Sequence, residues 1–325
     1  MPAAELVACC DLQPALATST ARHFGAERSY TDLAEMLARE QLDAAMVVGL
    51  PAMHEECARA CLEAGLHTMT EKPIARSLTE ALALAGLARS KGLITQVGHN
   101  MRYAPLVQKV RQIMAGPEFG DLLYLESRYH MEGPGWVTPS PAGWGFDTDP
   151  EGWFYLIAQG VHAIDLAREV GGEIASVHTT VGRTGRAERF AMVVSVVFAS
   201  GACGAITMTG ASANWSTRLE VVGDGAATLR LTDLNHLVYE PNGPDASYPH
   251  EYGVPSEVWS TPTRDDSSKR AGYLGEMEAF VVAVRDGTPT RPSFDDACQA
   301  MRVVVAIIES AQTGAIVAVP HDPSL

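Results

Sequence analysis

AMVVGLPAMHEECARACLEAGLHTMTEKP, residues 45–73, reads as one strand–helix–strand unit. Ala45-Met-Val-Val-Gly-Leu50 is a short apolar run of the kind that forms a buried parallel strand. Glu55 to Ala64 carries helical spacing and stops at Gly65, a natural C-cap, and His67-Thr-Met-Thr70 supplies the next strand. Outward from this unit the alternation repeats. Upstream, Glu5-Leu-Val-Ala-Cys-Cys-Asp11 is an apolar run ending in an acid, followed by a helix from Pro14 to Phe24. Downstream, Ser77 opens a helix with Glu80 three residues on as a capping box, Gly92 closes it, and Leu93-Ile-Thr-Gln-Val97 is a further strand. Strands alternating with helices of this length call for a parallel sheet covered on both faces. Residues 1–100 are therefore expected to form a doubly wound, Rossmann-like α/β domain.

After about residue 120 the texture changes. Leu122–Tyr129, Ser176–Gly182, Ala191–Phe198, Cys203–Thr209, Arg218–Val222 and Ala227–Leu231 read as strands with few helices between them. The turn Gly223-Asp-Gly225 between two apolar segments is a hairpin signal, which favours antiparallel pairing. Residues 101–325 are expected to form an α+β domain with a large, mostly antiparallel open sheet. Helical periodicity returns at Gly275–Arg285 and Phe294–Gln312, where the chain is able to pack back on the first domain. Pro- and Gly-rich stretches near 133–152 and 241–263 read as long loops.

Composition narrows the functions. With 24 Lys and Arg against 39 Asp and Glu, the formal charge is −15, which argues against a nucleic-acid partner. No apolar run is long enough to span a bilayer, and no signal-peptide pattern opens the chain, so no membrane partner and a cytoplasmic location are expected. Six cysteines without a Cys-x-x-Cys read as thiols, and no metal site is expected.

In open parallel sheets ligands bind at the carboxyl ends of strands. Asp11 ends the first such strand; an acid there either accepts hydrogen bonds from the ribose of NAD, disfavouring the 2′-phosphate of NADP, or caps a loop. Pro51 and His54 follow the second strand. Glu71-Lys72-Pro73 follows the third, and Pro73 holds Lys72 extended, as either a cleft-facing cation or a plain turn. In the second domain His162 and Asp165 lie three apart on one helix face. They read either as a proton-transfer histidine with a tuning neighbour or as a buried structural pair.

In order and spacing, Val7-Ala-Cys-Cys-Asp11, Pro51-Ala-Met-His54, Cys61-Leu-Glu-Ala-Gly-Leu-His67, Glu71-Lys-Pro73, Gly98-His-Asn-Met-Arg-Tyr103 and Gly160-Val-His-Ala-Ile-Asp165 resemble the glucose-fructose oxidoreductase, inositol dehydrogenase and MocA-like oxidoreductases. The resemblance implies hydride transfer between a nicotinamide cofactor, NAD in preference to NADP, and a small polyhydroxylated substrate such as a sugar or cyclitol. It implies an active site between the two domains, with Lys72 on the substrate hydroxyl and His162 moving its proton. Arg102, Tyr103 and Asp165 are then expected around the substrate, and Asp11, Pro51, His54, Glu71, Lys72 and Pro73 around the cofactor. A homo-oligomer, dimer or tetramer, built on the open sheet is also implied.

Two departures stand against that pattern. The family's first strand and its Gly-x-Gly-x-x-Gly turn have no counterpart, so about 30 further residues are expected to precede this sequence. Ala158 stands where family dehydrogenases commonly carry a carboxylate. Two alternatives follow: a ligand sensor without turnover, or an inactive truncated product. Trp136, Trp144, Trp153 and Tyr155 either stack on a sugar or pack.

Overall fold

The computed structural model describes residues 4–132, 153–183, 190–241, 256–261 and 267–321. The loop 133–152, with Trp136 and Trp144, and most of 241–263 lie outside the described residues. The chain divides into two compact units, Met1–Gly98 with Met277–Cys298, and His99–Glu276 with Gln299–Leu325.

In the first unit β1 (Ala8–Cys10), α1 (Pro14–Phe24), β2 (Arg28–Tyr30), α2 (Leu33–Arg39), β3 (Ala44–Val47), α3 (Pro51–Glu63), β4 (His67–Thr70), α4 (Leu78–Lys91) and β5 (Thr95–Val97) alternate as the hydrophobic pattern requires. Every pairing is parallel, in two ladders: β1 with β2, and β3–β4–β5 in that order. The ends of the helices follow their caps. Ser77 accepts the Glu80 N–H while Glu80 accepts the Ser77 N–H, the reciprocal capping box expected. Gly92 then closes α4 at φ 64°. The element α3 starts four residues earlier than its spacing suggested, because Pro51 at its first turn lacks only an N–H that would have no helical partner. Sequence reading did not find β2 and α2. The strand is three residues long and largely exposed, and the helix has only seven residues, capped by Asp32 on the Glu35 N–H.

The second unit is a nine-stranded sheet. It comprises β6 (Leu122–Glu132), β7 (Ile174–Arg183), β8 (Phe190–Phe198), β9 (Cys203–Ser212), β10 (Ser216–Gly223), β11 (Thr228–Thr232), β12 (His236–Glu240), β13 (Glu257–Ser260) and β14 (Val317–Ala318). Their order is β13-β12-β11-β10-β6-β9-β8-β7-β14, antiparallel throughout the described residues except for β6 beside β9. Phe190 to Phe198 alternates strictly between buried and exposed, so one face of the sheet is covered and the other open. The covered face shares one apolar core with α5 (Pro105–Met114), α6 (Val161–Gly171) and the C-terminal part of the last helix, drawing in Leu125, Ile164, Phe198, Ile206 and Val304. The expected hairpin joins β10 to β11. Its left-handed residue is Ala226, at φ 63°, whereas Gly225 is required because a Cβ there would lie 2.6 Å from the Glu118 carbonyl.

The final helices are α7 (Tyr273–Asp286) and α8 (Phe294–Thr313). The stretch between them extends the first unit beyond β5. There the Val97 N–H donates to the Pro292 carbonyl at 2.9 Å, and Thr290 Oγ1 donates to Gln96 Oε1 at 2.6 Å. Among the described residues no helix is long and apolar enough to cross a membrane.

Candidate active site

At the end of β1, the Asp11 backbone N–H donates to the Tyr30 carbonyl at 3.1 Å. One carboxylate oxygen, Oδ1, accepts the Gln13 N–H at 2.8 Å, an Asx-type turn that fixes the acid at the strand end. The next strand end is Gly49-Leu50-Pro51, with Pro51 buried as the first residue of α3.

One turn into that helix, His54 is 1 % exposed. Its Nδ1 lies 2.7 Å from the Pro73 carbonyl and its Nε2 lies 3.1 Å from the Gly49 carbonyl. The imidazole expected to face a cofactor is thus held between two main-chain oxygens, one from the loop after β3 and one from the loop after β4.

The loop after β4 carries Glu71, Lys72 and Pro73, with a cis peptide between Lys72 and Pro73. The Glu71 N–H continues the ladder to the Val47 carbonyl at 2.9 Å, and the Lys72 N–H donates to Glu71 Oε2 at 3.2 Å. Gly98, after β5, makes room for that carboxylate: a Cβ there would sit 3.0 Å from Glu71 Cδ and Oε2. Lys72 is partly buried. Burial pushes its ammonium below the ordinary lysine range, against the opposing pull of Glu71.

The second unit opens at His99, which leads into a 3₁₀ turn over Asn100–Tyr103. The Asn100 amide donates to the Ala271 carbonyl at 2.7 Å, and Gly275 approaches Tyr103 so closely that a Cβ there would lie 3.3 Å from Tyr103 Cβ. Arg102 donates from Nε to Asp165 Oδ2 at 2.8 Å and from Nη2 to Oδ1 at 2.6 Å. Its remaining nitrogen is 2.9 Å from Glu169, which also pairs with Arg111 at 2.7 Å.

Spacing sets Asp165 on the helix face of His162, and the structure adds the other partners of its carboxylate. Both carboxylate oxygens are used by Arg102, with His99 Nδ1 3.9 Å from Oδ2. A side chain three residues on shares a helix face, but the stronger partner is the planar guanidinium delivered by the 3₁₀ turn. Burial alone raises the Asp165 carboxyl, yet Arg102, His99 and Arg168 together bring it down to about 2.

His162 is 7 % exposed, on the first turn of α6. Its ring stacks on Tyr129 at 5.8 Å between centroids and meets His99 edge-on at 6.2 Å. Burial pushes the Tyr129 phenol up to about 12, against a lowering contact from Trp215, so the ring beside His162 stays neutral. Immediately before His162 the helix widens into a π-turn, Leu156–Gly160. Such turns recur at functional sites, and sequence periodicity gave no warning of this one. Gly160 lets the turn approach the sheet, since a Cβ there would meet Met208 Sδ at 2.7 Å. Ala158 lies inside the turn and is buried. Tyr155 is a packing residue: its hydroxyl donates to the Thr209 carbonyl at 3.1 Å and its ring meets Phe190. Trp153 lies beneath the Arg183 guanidinium.

Among the described residues no cluster of metal-ligating side chains forms. The described acid/base groups are a turn-bound lysine in one unit and, in the other, a histidine between the rings of Tyr129 and His99 with a buried Arg–Asp pair on the same helix.

Comparison with known proteins gives a consistent outcome. Residues 1–99 match the oxidoreductase family described as NAD-binding Rossmann fold, and residues 107–228 match the GFO/IDH/MocA C-terminal domain. Levoglucosan dehydrogenase of Pseudarthrobacter phenanthrenivorans is 24 % identical over 99 % of this chain and 90 % of its own length. D-apiose dehydrogenase of Paraburkholderia graminis is 25 % identical over 96 % of this chain and 82 % of its own. A dehydrogenase structure from Chromobacterium violaceum superposes with a TM-score of 0.85 at 24 % identity, covering 95 % of this chain and 88 % of that one. Levoglucosan dehydrogenase in complex with NADH and L-sorbose superposes with 0.82 at 23 % identity, covering 97 % and 90 %.

Proposed function

Because the chain belongs to the GFO/IDH/MocA oxidoreductase family, with its NAD-binding Rossmann fold and its C-terminal domain both matched, we propose that it oxidises or reduces a hydroxyl-bearing carbon of a sugar, cyclitol or related polyol with NAD. The observation that carries this reading is Lys72. It follows a central strand of the parallel sheet, where such folds bind ligands, on a turn fixed by Glu71 and Pro73, with a charge that burial disfavours.

The residues present fit the ribose and ring ends of NAD. Asp11 holds one oxygen on Gln13 and retains acceptor capacity for ribose hydroxyls. Gly49 offers open backbone, since the nearest atom to a Cβ there would be Met53 Sδ at 3.9 Å. No Gly-x-Gly-x-x-Gly occurs in the sequence to receive the pyrophosphate. Bound NAD supplies the hydride acceptor. The ammonium of Lys72 stabilises negative charge developing on the substrate oxygen, and His162 takes or returns the hydroxyl proton. Arg102 and Asp165 neutralise each other and fix the 3₁₀ turn, which leaves Tyr103 to contact substrate.

Assembly as a homo-oligomer, dimer or tetramer, is part of this reading. The open sheet face supports it, with Val193 and Val197 exposed on β8 and the paired charges of Arg218, Glu220, Arg230 and Glu240 on the strands across it. We place the protein in the cytoplasm, where its six free cysteines persist as thiols. Buried Ala158 favours a second reading, a family member that binds a sugar without turning it over.

Incubation with NAD and a panel of levoglucosan, D-apiose and D-xylose, followed by NADH absorbance, tests the proposal. NADH formation with at least one sugar is expected. Saturable sugar binding by calorimetry with no NADH formed from any of them would establish the second reading instead.

A further inference from the structure

The buried imidazole of His54 occupies an unusual place for a side chain with acid/base chemistry. Its two nitrogens face two main-chain carbonyls, Pro73 at 2.7 Å and Gly49 at 3.1 Å. Both oxygens belong to strand-end loops, after β4 and β3, which lie side by side in the parallel ladder. Carbonyls only accept, and a neutral imidazole has one N–H, so the shorter contact, Nδ1–H to Pro73, is the one that a neutral ring satisfies best. Pro73 is joined directly to Lys72. The Lys72 backbone is therefore held on one side by its own N–H on Glu71 and on the other by the Pro73 carbonyl on His54. A side chain is aimed by its Cα, and misplacement of a reacting group by about 1 Å costs on the order of a hundredfold in rate.

We infer that His54 is a positioning residue for Lys72, acting through the Nδ1–Pro73 hydrogen bond rather than through contact with cofactor. This rests on the reading of Lys72 given above. The Nε2 contact with Gly49 is secondary in this arrangement, which makes the two nitrogens separable by substitution.

His54→Asn places an amide N–H near the position of Nδ1 and keeps the donor to Pro73. His54→Gln places its amide near Nε2 and keeps only the partner on Gly49. The readout independent of turnover is the titration of Lys72, followed by competitive acylation and peptide mapping, with Lys91, Lys109 and Lys269 as internal references. In His54→Gln the turn loosens, water reaches Lys72, and its midpoint rises toward the ordinary lysine value; in His54→Asn it stays at the wild-type value. Turnover with NAD and the reacting sugar of the panel follows the same order, with kcat reduced about tenfold or more in the Gln form and NADH affinity held.

Equal Lys72 midpoints in all three proteins, or equal shifts in both variants, would overturn the inference. Should the Gln form not melt cooperatively, the Asn form decides alone: an unchanged midpoint supports the role of Nδ1 and a raised one refutes it. Lys72→Met, assayed in parallel, keeps the underlying reading separate. Full turnover there removes Lys72 from the reaction, while the titrations still decide what His54 holds.

Discussion

Arg102 and Asp165 form a two-pronged ion pair at 2.8 and 2.6 Å with both side chains almost wholly buried. Breaking such a pair from one side strands a charge in a low-dielectric interior, at a cost of about 3–5 kcal/mol. Arg102→Met is expected to lose that much in urea unfolding. Double replacement, Arg102→Met with Asp165→Leu, removes both charges of the pair and should recover part of it, since Glu169 still loses one of its two arginine contacts.

The same pair sets the acid stability. The Asp165 carboxyl is held at about 2 in the fold, and an unfolded aspartate titrates near its ordinary value of about 3.9. A depressed folded pKa gives stabilisation that is complete above the unfolded value and is lost as pH falls through the folded one. Unfolding free energy should therefore drop between about pH 4 and pH 2, and Asp165→Asn should flatten that limb. Thermal melts across this range check it.

His162→Gln keeps a polar side chain on the first turn of α6 but removes the titrating group. Turnover should fall by about 10² to 10⁴, the span typical of general acid–base catalysis, with NADH affinity unchanged. Steady-state kinetics beside NADH fluorescence titration separates the two quantities.

Asp11→Ser removes the negative charge at the end of β1 that opposes a 2′-phosphate. The ratio of kcat/KM for NAD over NADP should fall, chiefly because NADP improves. A ratio unchanged in the variant would remove Asp11 from cofactor choice.

Much of this architecture was legible because its signals are local. Hydrophobic runs with Gly65, Gly92 and the Ser77–Glu80 box located β3, β4, α3 and α4 within a few residues. The apolar run Ala191–Phe198 likewise falls within β8. Long-range partners were not legible. The helix spacing that sets Asp165 beside His162 is visible in sequence, whereas the guanidinium of Arg102 arrives from 63 residues away. The place of His54 after a strand end is visible in sequence, and its carbonyl partners emerge only when two loops are brought together. The π-turn before His162 has no signature in the hydrophobic spacing, and the close approach of Gly160 to Met208 inside it is a packing fact between distant residues.

Direct hydride transfer is the central claim, and isotope transfer reads it most plainly. The reacting sugar, deuterated at its hydroxyl-bearing carbons, is incubated with NAD and the protein, and the NADH formed is weighed by mass spectrometry. NADH carrying one deuterium is expected, and none formed by Lys72→Met or His162→Gln beyond trace turnover. NADH without deuterium, or deuterated NADH formed equally well by both variants, would contradict it.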